Sequence, residues 1–243
     1  MTSIKSVAID DRWNLLIPEE DLAFTADETF TADRPDGEHV YSAACDFAVS
    51  HLGPGNGKQC LVVGSAPFEV YALESAGWRT SLLDIRCPQD FKLNWIKGDA
   101  AAIPFPDDSF DALSSTCCYC HVGLGRYNDP RYEDGDYVAL MEAFRVLKSG
   151  TRAAVMLGPS IPTVTDTHTL GIVHRVYSLS GAVNLLQKVG FRILESGIWE
   201  AMNKVWLDLD EVERHYGKYQ SGDGVPYSYL DFLLEKPAQR QKL

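Results

Sequence analysis

Short apolar runs alternate with segments of helical spacing along most of this chain. The run from Cys60 to Val63 stops at Gly64, as a buried parallel strand does. Strands that alternate with helices predict a parallel sheet wound on both faces. In chain order, the predicted elements are helix Glu38–His51, strand Cys60–Val63, helix Pro67–Ala76, strands Thr80–Asp84, Leu93–Ile96 and Phe110–Cys118, helix Asp136–Leu147, strand Ala153–Leu157, helix Leu179–Val189, and strands Phe191–Trp199 and Tyr227–Leu234.

The two ends of the chain have a different character from the middle. Residues 1–35 are acidic and irregular with isolated aromatic residues, and we expect them to form an extension or a lid over the site. Residues 36–243 are predicted to form the main domain, with an insert at about residues 203–226. Residues 1–35 and the insert are both polar and rich in aromatic residues, so we expect these two segments to cover the mouth of an active site.

Composition narrows the class of partner. The hydrophobic fraction of 45% predicts a folded globular protein. The formal net charge of −12 and the lack of a Lys/Arg run argue against a nucleic-acid partner, because phosphates need a basic surface. The chain begins without a basic leader or long apolar stretch, so we expect no signal peptide, and no window approaches the roughly 20 apolar residues of a membrane helix.

The six cysteines do not form a zinc-binding pattern. Cys117 and Cys120 have the spacing of one Cys-x-x-Cys pair, but the sequence contains no second such pair to complete the usual four-ligand site. We expect reduced, mostly buried thiols on a central strand and a cytoplasmic protein.

The segment from Gly98 to Gly150 carries the most specific signal. It contains Gly-Asp-Ala-Ala-Ala-Ile-Pro-Phe-Pro-Asp-Asp-Ser-Phe-Asp and later Phe-Arg-Val-Leu-Lys-Ser-Gly. This run of about 50 residues resembles the middle of a Rossmann-like, class I S-adenosylmethionine-dependent methyltransferase. The resemblance implies a doubly wound, mostly parallel seven-stranded sheet with an antiparallel last strand. It also implies that S-adenosylmethionine is the cofactor and that Asp99 and Ala100 meet its adenine.

Other cofactor contacts are predicted where strands end, because ligands of doubly wound sheets bind beyond the carboxyl ends of the strands. A carboxylate at Asp84 can accept hydrogen bonds from both ribose hydroxyls, or it can be a solvated loop residue. The turn after the first strand keeps a single glycine, and Val63 stands where an acidic residue is common in these methyltransferases. The complete predicted cofactor-binding set is Gly64, Ser65, Ala66, Asp84, Ile85, Asp99, Ala100, Ser115 and Thr116.

A second resemblance rests on Gly-Leu-Gly-Arg-Tyr at residues 123–127 and His-Arg-Val-Tyr at residues 174–177. These signatures look like a bacterial family of unknown function, classed with the methyltransferase fold and often found near polysaccharide biosynthesis genes. A turn like Gly64-Ser65-x-Pro67, with an acidic residue near Glu69, belongs to the same pattern. The chain departs from it at Cys120, where Glu is usual, at Asn128, where Gly is usual, and just before His174, where an Asn is missing.

Catalytic and acceptor-binding residues are predicted around these signatures. His121 follows the fourth strand and is our candidate general base, with His174 second, although His121 can equally bond a backbone carbonyl. Arg126 offers a fork for a carboxylate or phosphate, or it pairs with Asp129, Glu133 or Asp134. Asp129, Asp134 and Asp136 can hold a divalent ion, but capping of a helix by Asp134 or Asp136 is the favoured interpretation, and no metal site is predicted. The predicted acceptor-binding set is Arg126, Tyr127, Asp129, Arg175 and Tyr177.

Together these features predict an O-methyltransferase that acts on a small molecule or a sugar unit. The alternatives are a degenerate methyltransferase fold that binds a ligand or partner without catalysis, and another reaction on the same cofactor, such as a cyclisation.

Overall fold

The structure is a computed structural model, and it describes residues 40–64, 67–86, 93–116, 118–160, 167–170, 172, 174–200, 205–208 and 228–238. The predicted lid at residues 1–35 and most of the predicted insert lie outside these residues. The elements are α1 (Val40–Leu52), β1 (Gln59–Val63), α2 (Pro67–Ser75), β2 (Arg79–Asp84), β3 (Trp95–Lys97), β4 (Phe110–Thr116), α3 (Gly135–Val146), β5 (Leu147–Ser160), β6 (His168–Leu170), β7 (His174–Val176), α4 (Leu179–Val189), β8 (Arg192–Glu200), β9 (Val205–Asp208) and β10 (Ser228–Glu235).

The strands form a mixed sheet in the order β3-β2-β1-β4-β5-β10-β8-β9. The first five strands of that order run parallel, and β10 pairs antiparallel with both β5 and β8. This arrangement confirms the predicted doubly wound sheet with an antiparallel last strand. In the described part of the chain, β9 adds an eighth strand at the edge, inside the predicted insert.

Helices cover both faces of the sheet because the central strands are apolar on both sides. Along β1, Cys60 and Val62 pack with α2 and Trp78, whereas Leu61 and Val63 belong to the core beneath α3 and α4. α1 packs through Phe47 and Ala48 against β5 and β10. No helix in the described part of the chain is long and apolar enough to cross a membrane.

Three predicted elements differ from the observed ones. The third strand is Trp95–Lys97 rather than Leu93–Ile96, because Trp95 pairs with Leu82 of β2 and Leu93 instead packs against the core next to it. The fourth strand ends at Thr116, so Cys118 and Cys120 lie beyond it. The fifth strand begins at Leu147, because polar residues such as Arg152 also pair with β4 and β10.

The residues between the fifth strand and α4 contain two short strands that were not predicted. His174 and Arg175 belong to β7, which pairs with β6 as a separate two-stranded sheet. Cys45, Cys60 and Cys120 are buried, as expected, but the thiols are distributed over α1, β1 and the turn after β4.

Candidate active site

The candidate site lies at the carboxyl edge of the parallel strands. Gly64 follows β1, Asp84 ends β2, Asp99 follows β3 and Thr116 ends β4. These strands are neighbours in the sheet, and the strand order reverses between β1 and β4. That reversal is the switch point where ligands bind in doubly wound sheets, so the predicted residues do converge on one edge.

Gly64 takes a backbone conformation that favours glycine. Its φ is +61°, and its N–H donates to the Leu83 carbonyl at 2.7 Å. A Cβ atom built on Gly64 would stand 2.2 Å from Sγ of Cys118, so the turn after β1 and the segment after β4 pack directly on each other. Glycine is therefore required here for both backbone and space. Ser65 and Ala66 lie outside the described residues.

Asp84 is buried, and its carboxylate already has hydrogen-bond partners. Its Oδ1 accepts the backbone N–H of Arg86 at 2.8 Å, and the Arg86 guanidinium makes longer contacts at 3.4 and 3.5 Å. Ile85 between them is half-buried. Arg86 is not among the predicted site residues, although a cation two residues after a strand-end carboxylate was visible in the sequence.

Asp99 organises the turn after β3. Its Oδ1 accepts the N–H of Ala101 at 2.8 Å, and its carbonyl accepts the N–H of Ala102 at 3.0 Å. Ala100 is buried beside them and presents an apolar wall. A hydrogen bond also holds this turn against α3, because the N–H of Ile103 donates to Glu142 at 2.9 Å.

Ser115 and Thr116 were predicted to line the cofactor site, but their hydroxyls face other partners. Ser115 donates to the Val63 carbonyl at 2.9 Å, which ties β4 to β1. Thr116 donates to Glu69 of α2 at 2.8 Å, and Ser114 donates to the other oxygen of the same carboxylate. Both predicted residues are buried, so they support the floor of the site from within the sheet.

Glu69 is a buried carboxylate that the sequence analysis noted only as part of a motif. Its side chain is fully inaccessible to solvent. Burial raises the pKa of Glu69 to about 7, and the hydrogen bonds from Ser114 and Thr116 oppose that rise. An acidic residue beside Val70 and Leu73 in an otherwise apolar turn of α2 was the available signal.

The loop after β4 is built around Asp129. One carboxylate oxygen accepts the N–H groups of Gly123 at 2.8 Å and Gly125 at 3.2 Å, and the other accepts that of Tyr127 at 3.1 Å. Asp129 was predicted to bind the acceptor, and these contacts give it the different role of shaping the glycine-rich loop. No group of three or more potential metal-ligating side chains occurs among the described residues.

The second signature is hydrogen-bonded to the residues that flank the first one and to α3, in a unit that we call the Arg175 clamp (Arg175, Asp136 and Tyr177). Arg175 is buried and donates to the carbonyls of Val122 at 2.6 Å and Glu133 at 3.0 Å. Its Nε lies 3.6 Å from Asp136, which also accepts the Tyr177 hydroxyl at 2.9 Å. Arg175 and Tyr177 were predicted to contact the acceptor, but their polar groups face protein partners and hold the loop against α3.

Asp136 has a structural role close to the predicted one. It lies in the first turn of α3 and accepts the N–H of Tyr137 at 2.9 Å. Asp134 occupies the N-cap position, but within the described residues its side chain makes no capping hydrogen bond.

His121 and His174, the two candidate bases, lie close together. Their ring centroids are 6.2 Å apart, and the Tyr127 ring meets His121 edge-on at 5.6 Å. Burial lowers the pKa of His174 to about 3, and the charges of His121 and Arg126 add to this effect. His174 is therefore a neutral imidazole at any physiological pH and a poor proton acceptor, which leaves His121 as the better candidate.

The residues present fit S-adenosylmethionine. The strand-end carboxylates of Asp84 and Asp99 are acceptors of the kind that ribose hydroxyls and an adenine amino group require. Gly64 supplies a turn without a Cβ, and Ala100 supplies an apolar wall.

Comparison with known proteins agrees with this arrangement. Residues 50–155 match the sequence model of a family described as a methyltransferase domain. The structure resembles 1,6-didemethyltoxoflavin-N1-methyltransferase of Burkholderia thailandensis with bound S-adenosylhomocysteine, with a TM-score of 0.58 at 12% identity over 80% of this chain and 77% of that one. The chain has the class I methyltransferase fold.

Curated relatives match over shorter stretches. The chain is 40% identical over 73 residues to the ubiquinone/menaquinone biosynthesis C-methyltransferase of Dinoroseobacter shibae, covering 30% of this chain and 25% of that protein. It is 32% identical over 152 residues to the enzyme of the same name from Ruegeria, covering 54% of this chain and 56% of that protein. The chain thus spans between a quarter and about half the length of these relatives.

Proposed function

We propose that this chain is an S-adenosylmethionine-dependent methyltransferase acting on a small molecule. The observation that carries the proposal is the pair of carboxylates at the ends of the adjacent strands β2 and β3, inside the segment that matches the methyltransferase domain family. Asp84 binds the ribose hydroxyls, Asp99 binds the adenine amino group, and Ile85 and Ala100 line the same site. Gly64 lies against the rest of the cofactor, and Ser65 and Ala66, which are outside the described residues, stay predicted cofactor contacts.

The chain's own residues align the reactants and move a proton. When bound, S-adenosylmethionine supplies an electrophilic methyl group on its sulfonium. His121 accepts the proton of the acceptor hydroxyl at an imidazole nitrogen, and the neutral His174 beside it offers hydrogen bonds without competing for that proton. The Arg175 clamp holds the loop that carries His121 and Tyr127.

The acceptor is proposed to be a small molecule or a sugar unit that is methylated on oxygen. The net charge of −12 supports such an acceptor over a nucleic acid. The named relatives are C-methyltransferases. A base that deprotonates a phenol also activates the ring carbons, so analysis of the product by mass spectrometry and NMR decides between oxygen and carbon. The buried thiols of Cys45 and Cys60 support a reducing compartment, the cytoplasm.

Calorimetry with S-adenosylhomocysteine tests the proposal. Asp84→Ala and Asp99→Ala should each weaken binding by roughly 1.5–3 kcal/mol, the range for losing hydrogen bonds to a charged group. Asp46→Ala is the matched control, because Asp46 is exposed on α1, and it should leave affinity unchanged. Unchanged affinity in both strand-end variants, with the fold intact, would refute this placement of the cofactor.

A second candidate is a methyltransferase fold that binds a ligand without catalysis. The observations that favour it are the Arg86 guanidinium lying on Asp84 and the single glycine of the turn at Gly64. Formation of S-adenosylhomocysteine from S-adenosylmethionine across a panel of phenols, hydroxy acids and sugars separates the two. Product that disappears in His121→Ala supports the enzyme, whereas tight cofactor binding with no product from any member of the panel supports the second candidate.

A further inference from the structure

Arg86 bridges the candidate cofactor site and the loop after β4. The carbon Cζ of its guanidinium lies 4.4 Å from the centre of the Tyr127 ring, while its nitrogens reach Asp84. The side chain is only 18% exposed. Burial alone would lower the pKa of Arg86. The charges of Asp84 and Tyr127 raise it by more than burial lowers it, so the net shift of the pKa is upward and the residue stays cationic. This half-buried cation therefore lies between Asp84 of the proposed cofactor site and the loop that carries His121 and Tyr127.

A second guanidinium approaches the same ring. Cζ of Arg126 lies 5.8 Å from the centre of the Tyr127 ring, within the range of a cation–π contact. His121, the candidate base, meets this ring from its edge at 5.6 Å. Two cations and a base thus surround one aromatic ring in a chain whose net charge is −12. Asp84 is the acidic partner of Arg86, and a ligand that competes with Arg86 for Asp84 would raise the positive charge beside the Tyr127 ring, which favours an anionic ligand there.

The bond lengths show which contact of Arg86 is easily given up. Its backbone N–H lies 2.8 Å from Asp84, a distance typical of a full hydrogen bond, whereas the guanidinium contacts of 3.4 and 3.5 Å are long and weak. Ribose hydroxyls that occupy Asp84 can therefore displace the guanidinium while the backbone contact stays. The guanidinium would then keep its contact with the Tyr127 ring.

We propose that Arg86 and Arg126 together bind an oxyanion of the methyl acceptor, and that the acceptor is therefore a carboxylate or a phosphate ester. This inference rests on the proposed function and adds the substrate class to it. Guanidinium groups bind both oxyanions through paired N–H donors. With the oxyanion held beside Tyr127, an acceptor hydroxyl on the same molecule lies next to His121.

Calorimetry with three related probes tests the proposal on protein saturated with S-adenosylhomocysteine. The probes are 4-hydroxybenzoate, phenyl phosphate and the neutral 4-hydroxybenzamide. At least one anionic probe should bind about tenfold or more tightly than the amide, and the stronger of the two anions identifies the carboxylate or the phosphate as the acceptor group. The same anion should bind more weakly when S-adenosylhomocysteine is left out, because Asp84 then retains Arg86.

Variants separate this site from general damage. Arg86→Ala and Arg126→Ala should each weaken the anionic probe about tenfold, while S-adenosylhomocysteine affinity stays within about threefold or increases in Arg86→Ala. Arg79→Ala, exposed at the opposite end of β2, should change neither affinity. Equal affinity for the anions and the amide, or unchanged anion binding in both arginine variants, overturns the inference alone. Failure of the wild type to bind S-adenosylhomocysteine overturns the proposed function and this inference with it.

Discussion

Glu69 and His174 are two residues near the candidate site whose pKa values are shifted strongly by burial. Glu69 fixes α2 to the end of β4 through Ser114 and Thr116, and burial raises its pKa to about 7. His174 stands beside His121, and burial lowers its pKa to about 3. Each shift links the free energy of unfolding to pH, and the two effects have opposite signs.

The signs follow from which state binds the proton. Between pH 4.5 and 7 folded Glu69 keeps a proton that the unfolded chain has lost, so its contribution to stability falls as pH rises. Between pH 3 and 6.5 unfolded His174 binds a proton that the folded protein excludes, so its contribution falls as pH decreases. The windows overlap from pH 4.5 to 6.5, where the two contributions partly cancel.

Two single substitutions should therefore tilt the pH dependence of stability in opposite directions. Urea unfolding of Glu69→Gln should show a steeper gain in stability from pH 5 to 6.5 than the wild type. His174→Phe should show a flatter gain, or a loss, over the same range. Parallel profiles for wild type and both variants would show that neither group is shifted as described.

The loop after β4 and its clamp are the element on which the acceptor side depends. Arg175 of β7 binds the backbone carbonyls of Val122 and Glu133, and Asp136 of α3 binds both Arg175 and Tyr177. The glycines fit tightly, since a Cβ on Gly135 would meet the Val122 carbonyl oxygen at 2.2 Å. The clamp thus joins β7 to the loop after β4 and to α3, which directly follows that loop in the chain.

Breaking the clamp should cost far more stability than breaking a surface ion pair. Arg175→Met leaves Asp136 buried without its cation and should lower the free energy of unfolding by about 3–5 kcal/mol. Arg192→Met is the matched control, because Arg192 pairs with Glu235 on the surface, and it should cost about 1 kcal/mol or less. Urea unfolding measures both. Similar losses in the two variants would show that the buried contacts of Arg175 add little.

The residues of this element could be predicted from the sequence, but which of them face a ligand and which hold the loop could not. The signatures around Gly123 and His174 indicated that the two segments belong to one site. Whether Arg175 or Arg126 faces a ligand depends on which carbonyls surround each guanidinium after folding, and spacing along the chain carries no such information. The position of Arg86 two residues after Asp84 was visible in the sequence, but its contact with Tyr127 was not, since that contact joins two different loops.

At the scale of the whole molecule, the sheet determines where the ligand sites lie. Alternating apolar runs and helical segments were enough to predict a doubly wound sheet, because burial on both faces requires that pattern. The edge strand β9 was not predicted, because four residues inside a polar insert give little periodicity. The order β3-β2-β1-β4 brings the candidate cofactor residues to one edge of the sheet, where we propose that the cofactor binds.

Amide hydrogen exchange with and without S-adenosylhomocysteine tests this placement of the cofactor most directly. Turn amides exchange by local opening, so a ligand on them slows exchange without unfolding of the whole sheet. If the cofactor binds at the strand ends, amide exchange should be slower at Gly64, at Ile85 and Arg86, and in the turn after Asp99. The turn at Gly53–Gly57, at the opposite edge of the sheet, should exchange at an unchanged rate. Protection confined to other segments, or none at the strand ends under saturating ligand, would contradict this placement.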